Sequence, residues 1–131
     1  KANDARRKGD LGQIQKALET HYHDLGKYPT SDSTYKIKWN NIAVDLGTSW
    51  MPYISVLPKD PRSPQRIYVY YSTSDGQSYW LYAYLERTND PQLCKKDGSP
   101  CSSLLINGIP TDYCGAGGSC NFGVSSSNQS P

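Results

Sequence analysis

The chain has no long apolar run, no Cys-x-x-Cys pair, no Gly-x-Ser-x-Gly elbow and no glycine-rich phosphate loop. The first absence excludes a membrane-spanning helix within these residues. The second argues against a zinc knuckle, which is normally built on closely spaced thiolates. The third and fourth remove the common sequence signatures of a hydrolase nucleophile and of a nucleotide phosphate site. Surplus charge is also missing. Fourteen Lys and Arg stand against twelve Asp and Glu, and a net charge of +2 is too small to argue for nucleic acid or an anionic membrane. Phe and Met occur once each, so the interior must be assembled from other side chains.

Tyrosine fills that gap. Eleven Tyr and three Trp suit surfaces that are half-buried or meet partners, because these rings are apolar with a polar tip. A length of 131 residues suits one domain with a single modest core. The four cysteines, Cys94, Cys101, Cys114 and Cys120, all fall in the last third of the chain. They bracket two short loops rich in Gly, Ser and Pro, which reads as two disulfide staples on a segment with little core. Three pairings are possible. The sequential one, Cys94 with Cys101 and Cys114 with Cys120, is expected because both loops contain Gly or Pro and can turn sharply. Disulfides imply an exported protein, yet the sequence carries no signal peptide.

From about Asn3 to Leu25 the pattern is helical, with Leu11, Ile14, Leu18, Tyr22 and Leu25 forming one apolar stripe. Asp10, Gln13, Lys16, Glu19 and His23 fall on other faces. The first turns carry no apolar stripe, so the helix reads as cut rather than begun. The Arg6–Arg7–Lys8 run is flanked by Asp4 and Asp10 and reads as a solvated face. Gly9 and Gly12 each weaken the helix by roughly 1 kcal/mol relative to Ala. The helix stops at Gly26, and Pro29 prevents it from resuming. Residues 35–39 could form a strand, residues 40–47 a short helix or loop, and Ser49 could cap a brief helix that tolerates Pro52 in its first turn. Prolines at 58, 61 and 64 then interrupt regular structure.

The strongest local signal is RIYVYYSTSDGQSYWLYAYLER, two β-rich runs flanking Asp75–Gly76 as a two-residue hairpin turn. Ser74 then opposes Gln77. One face carries Tyr68, Tyr70, Tyr79, Leu81, Ala83 and Leu85. The other carries Ile67, Val69, Tyr71, Trp80, Tyr82 and Tyr84. Both are apolar enough to be covered, and the face with Leu81, Ala83 and Leu85 suits Ile14, Leu18 and Tyr22 of the helix. The final SSSNQSP reads as a tail.

Candidate chemistry is thin. His21 and His23 lie two apart on a helix and point to nearly opposite sides, so they cannot share an ion. Glu19 and His23 share a face, but two ligands without a third make a surface pair. A calcium site on Asn89, Asp90 and Asp97 is conceivable, although turn capping accounts for those residues. Asn128–Ser130 matches a glycosylation acceptor, a pattern short enough to arise by chance. Trp80, Tyr82 and Tyr84 could form a stacking platform for sugar or single-stranded DNA, unless the C-terminal segment covers them. No cofactor is called for, and no enzyme site is visible.

In order, the pieces are DLGQIQKALETHYHDLGKYPT, YISVLPKDP and a tyrosine-rich hairpin. This order resembles the type IV pilins and the major pseudopilins of type II secretion over residues 3 to about 87. The resemblance rests on the helix-ending Gly26, Tyr28 and Pro29, and on the segment Leu57, Pro58, Lys59, Asp60 and Pro61 before the sheet. It implies an α+β fold in which a long helix packs on a small antiparallel sheet. Residues 1–131 would be one pilin-like domain, with a helix remainder at 1–25, a loop and hairpin at 26–87 and a cysteine-containing region at 88–131. It also implies an apolar half-helix and a short leader encoded before Lys1, a membrane anchor before assembly, and a homopolymeric filament built through that half-helix. The fragment itself would be monomeric. The stapled C-terminal third departs from the pattern, which often has a short calcium-holding loop there. That departure shifts the expectation toward an extracellular type IV pilus-like fibre for adhesion, surface motility or uptake. A pseudopilin of type II secretion and a ligand-binding minor pilin are the alternatives.

Overall fold

A computed structural model describes residues 2–115 and 118–131. Its elements run α1 (Ala2–Leu25), β1 (Lys38–Trp39), β2 (Ile42–Ala43), β3 (Val69–Ser72), β4 (Tyr79–Ala83), α2 (Ser102–Ile106) and β5 (Phe122–Ser125). β1 and β2 form a two-stranded antiparallel ribbon. β3, β4 and β5 form an antiparallel sheet in that order, with β4 in the middle. The fold is α+β, a long helix packed on antiparallel sheet.

The central position of β4 explains why its sequence is apolar on both sides. All five of its residues are buried. Tyr79, Leu81 and Ala83 join Leu11, Ile14, Ala17 and Leu18 of α1 in one cluster. Trp80 and Tyr82 join Val69, Leu104, Ile109, Cys101, Cys114 and Cys120 in a second cluster on the opposite face. The hairpin register pairs Tyr70 with Leu81 and Tyr71 with Trp80, as expected from opposing Ser74 to Gln77.

The turn that sets this register differs from expectation. Asp75 and Gly76 are not its two central residues. Gly76 donates its N–H to Thr73 O, so Ser74 and Asp75 occupy the middle of a β-turn and Gly76 follows at φ 71°. Asp75 Oδ1 accepts from Thr73 Oγ1 and Gln77 N, which stabilises this wider loop.

Three other expectations are corrected, and one open alternative is decided. No helix follows Ser49. Trp50 N–H instead bonds to Ile54 O across a closed turn, which buries the indole. Residues 40–47 hold no helix either, because Asn40 and Asn41 turn the chain at φ 53° and 64° between β1 and β2, a turn suited to Asn. Leu25 is 51% exposed, and the position it was expected to fill on the stripe belongs to His21. SSSNQSP is not a loose tail. Ser126 pairs with the backbone of Tyr79, Trp80 Nε1 donates to Ser130 O, and Ser103 N donates to Pro131 O.

Candidate functional site at the junction of helix and head

Two sets of contacts fix the head to α1, one near each end of the helix. At the C-terminal end, Gly26 takes the left-handed conformation at φ 75° that closes the helix and donates its N–H to Tyr22 O. Tyr28 then turns back over the helix. Its hydroxyl donates to Glu19 Oε2 at 2.9 Å, and its ring lies 4.7 Å from both Tyr22 and Tyr79. Its N–H bonds to Gly76 O, so the hairpin tip rests on this turn. A Cβ on Gly76 would lie 2.7 Å from Lys27 Cβ, which makes the glycine necessary for the approach as well as for its φ. Pro29 contributes its carbonyl, which accepts from Tyr70 Oη and Ser72 Oγ. Gly26, Tyr28 and Pro29 therefore couple helix end, hairpin tip and β3.

At the N-terminal end the junction is ionic. Arg7 is fully buried, correcting the solvated reading of the Arg6–Lys8 run. It donates to both carboxylate oxygens of Asp60 at 2.9 and 3.0 Å, to Asp4 at 3.0 Å and to Glu86 at 3.1 Å. A planar guanidinium suits this use, since it can serve a carboxylate bidentately and reach two more acceptors. Asp60 also accepts from Arg62 N, so the Leu57–Pro61 segment presents it in a closed turn. Leu57 anchors that segment in the core at 0% exposure, while Pro58 and Pro61 are half-buried at its edges. Asp4 extends the network to the chain after β4, accepting from Glu86 N and Arg87 N.

Burial works against the charges of Arg7, Asp4 and Glu86, but it is outweighed by Asp60 on Arg7, by the backbone N–H groups of Glu86 and Arg87 on Asp4, and by Arg7 and Arg62 on Glu86. Arg7 is held above its ordinary pKa, and Asp4 and Glu86 below theirs. Asp10, placed on an outer face by periodicity, is also buried and accepts from Tyr68 Oη at 2.7 Å. The buried stripe thus continues through Asp4, Arg7 and Asp10, where sequence reasoning saw it end. The spacing of three was the available signal, obscured because those residues are charged.

His21 and His23 are separated as expected: His21 is buried and His23 exposed. His21 Nδ1 donates to Lys27 O at 2.6 Å, and its ring sits 5.1–5.8 Å from Tyr53, Trp39 and Trp50. Burial lowers its pKa. This aromatic group ties the β1–β2 ribbon and the following loop to the helix.

The stapled region covers the other face of the sheet. Cys94 pairs with Cys101 and Cys114 with Cys120. The bridges adjoin, since Cys101 N donates to Cys120 O. Asn121 was overlooked in the sequence: its side chain bonds both N–H and C=O of Leu85, pinning the exit of β4. Under this cover Trp80 is 6% and Tyr82 0% exposed, and Tyr84 is half-buried beneath Arg66. The three rings form the floor of a packed layer, not an open platform.

The suggested calcium ligands are occupied otherwise. Asp90 Oδ2 accepts from Lys8 Nζ at 2.6 Å and Asp90 Oδ1 from Gln92 N, Asn89 accepts from Arg87, and Asp97 caps Ser99 N. Among the described residues no group of three His, Cys, Asp or Glu side chains is placed to hold a metal ion, and no helix is long and apolar enough to cross a membrane.

A family model described as type II secretion system (T2SS), protein G, matches residues 1–89. That span ends just beyond the Arg7 network. No curated protein and no solved structure matches the chain.

Proposed function

The chain belongs to the type II secretion system protein G family, and on that premise we propose that it is the helix and head of a subunit in an extracellular type IV pilus-like filament. The family makes it a pilin-type structural subunit of a secretion or pilus system. The finer assignment draws on residues 90–131, which lie beyond the family match; within them the Cys94–Cys101 and Cys114–Cys120 bridges, with Leu104 and Ile109, form a stapled layer on the face of the sheet away from α1. A stapled layer on the side opposite the helix suits a fibre whose helices bundle inside and whose heads face outward. We take residues 1–131 as one unit, without catalysis, whose mechanism is assembly. Arg7 and Tyr28 would hold the head at a fixed angle to the helix.

The family description itself favours a second reading, a pseudopilin whose short fibre drives protein export. Deleting the gene in its own host separates them. Loss of surface fibres with secretion intact supports the pilus reading. Loss of secretion without loss of surface fibres supports the pseudopilin. A deletion that changes neither fibres nor secretion contradicts both.

A further inference from the structure

We propose that the groove between the loop following α1 and the outer edge of β3 binds a neutral oligosaccharide. The groove is open, with roughly 450 Å³ of space, and is bounded by residues 30–35 on one side and 71–74 on the other. Its lining is unusual for this molecule in being almost entirely hydroxyl. Among the described residues, Thr30, Ser33, Ser74 and the phenol of Tyr71 have no protein partner for their side-chain oxygens. They present donors and acceptors together, as a polyhydroxylated ligand requires.

Two rings frame these hydroxyls, and both are half-buried. Tyr71 is backed by Trp80 with ring centres 5.9 Å apart, and Tyr35 meets Tyr113 edge-on at 4.8 Å. Each ring is therefore oriented before any ligand arrives, which limits the ordering cost of binding. Tyr35 also holds a left-handed backbone at φ 61°, uncommon for a bulky residue and typical of sites where the surroundings over-determine a conformation. Two backbone bonds and one to a side chain impose it: Tyr35 N to Asp32 O, Tyr70 N to Tyr35 O, and Lys36 N to Asp32 Oδ1.

Other ligand classes fit less well. No Lys or Arg lines the groove, which disfavours nucleic acid and other polyanions. Its one carboxylate, Asp32, is engaged by Thr34 N, Thr34 Oγ1 and Lys36 N, so it offers little to a cation. Strand addition is blocked because Tyr70 N and Ser72 N on the outer edge of β3 are already bonded to Tyr35 O and Ser31 Oγ.

The test is amide NMR of the purified protein with maltohexaose, cellohexaose and chitohexaose, each added to millimolar concentration. The expected result is shifts confined to residues 30–36 and 71–75 with at least one hexaose. Tyr71→Ala should weaken that binding about tenfold or more. Tyr71 also packs on Trp80, so Ser74→Arg serves as the second variant; Ser74 is exposed, and the new side chain would fill the groove without touching the core. It should abolish the shifts while leaving the melting temperature unchanged. No shifts with any of the three sugars, or shifts that persist in Ser74→Arg, would overturn the proposal.

Discussion

The two faces of β4 are covered by opposite strategies. On the helix face, Leu11, Ile14, Leu18, Leu57 and Leu85 bury aliphatic surface around a charged network whose members are up to 82 residues apart. On the far face, the covering segment contributes few aliphatic side chains, chiefly Leu104 and Ile109, and relies on two short disulfide loops and backbone ties. A segment with little apolar surface cannot offset its ordering entropy by burial alone. Covalent closure supplies what burial does not. The difference predicts that the helix face is sensitive to single side chains and the far face to the bridges.

The largest effect should come from Arg7→Ala. It leaves Asp60 and Asp4 buried without their cation, and breaking a buried pair this way typically costs about 3–5 kcal/mol. A chemical-denaturation midpoint equal to that of the parent would remove the ionic junction from the account. Next is Leu18→Ala, fully buried at the centre of the helix contact, with an expected cost of about 2–5 kcal/mol. Lys16→Ala, on the exposed side of the same helix, should leave the melting temperature within error.

Removing one bridge probes the far face. The double variant Cys114→Ser, Cys120→Ser should lose roughly 2 kcal/mol in the chain-entropy picture. Hydrogen exchange should quicken in residues 110–121 while the amides of α1 keep their protection. Uniform loss of protection through α1 would mean that the two faces are not independently held.

The smallest effect concerns pH. Burial depresses the pKa of His21, so the unfolded chain binds more protons than the folded one between the two values. Stability is then fully present above about pH 6.5, the ordinary His value, and falls as pH drops toward the folded value. Of the charged groups, Lys27 acts on this ring to lower its pKa further and Asp24 to raise it. Replacing His21 by Phe should flatten the melting temperature between about pH 7 and pH 5. A profile identical to that of the parent would assign the pH dependence elsewhere.

Much of the architecture was legible because it depends on local periodicity. The β-rich runs specified strand faces and register even though the turn type was misread, since Ser74 opposes Gln77 in either loop. The helix end at Gly26 and the sequential cysteine pairs were legible from local turn-forming Gly and Pro. Arg7 was obscured, because its spacing of three falls on charged residues and two of its partners, Asp60 and Glu86, lie 53 and 79 residues away. The third strand, Phe122–Ser125, was missed because four residues offer no periodicity beyond that of a loop. The aromatic group around His21 was hidden because Trp39, Trp50 and Tyr53 come from a segment without regular structure of useful length.

We propose a filament subunit whose head is locked to its helix and whose stapled layer faces outward. Electron cryomicroscopy of fibres assembled from the complete gene product tests it most directly. The account predicts α1 running toward the fibre axis, Arg7 still paired with Asp60, and the Cys94–Cys101 and Cys114–Cys120 loops on the outer surface. Fibres with those loops packed against the axis, or a gene product absent from every fibre the cell makes, would contradict it.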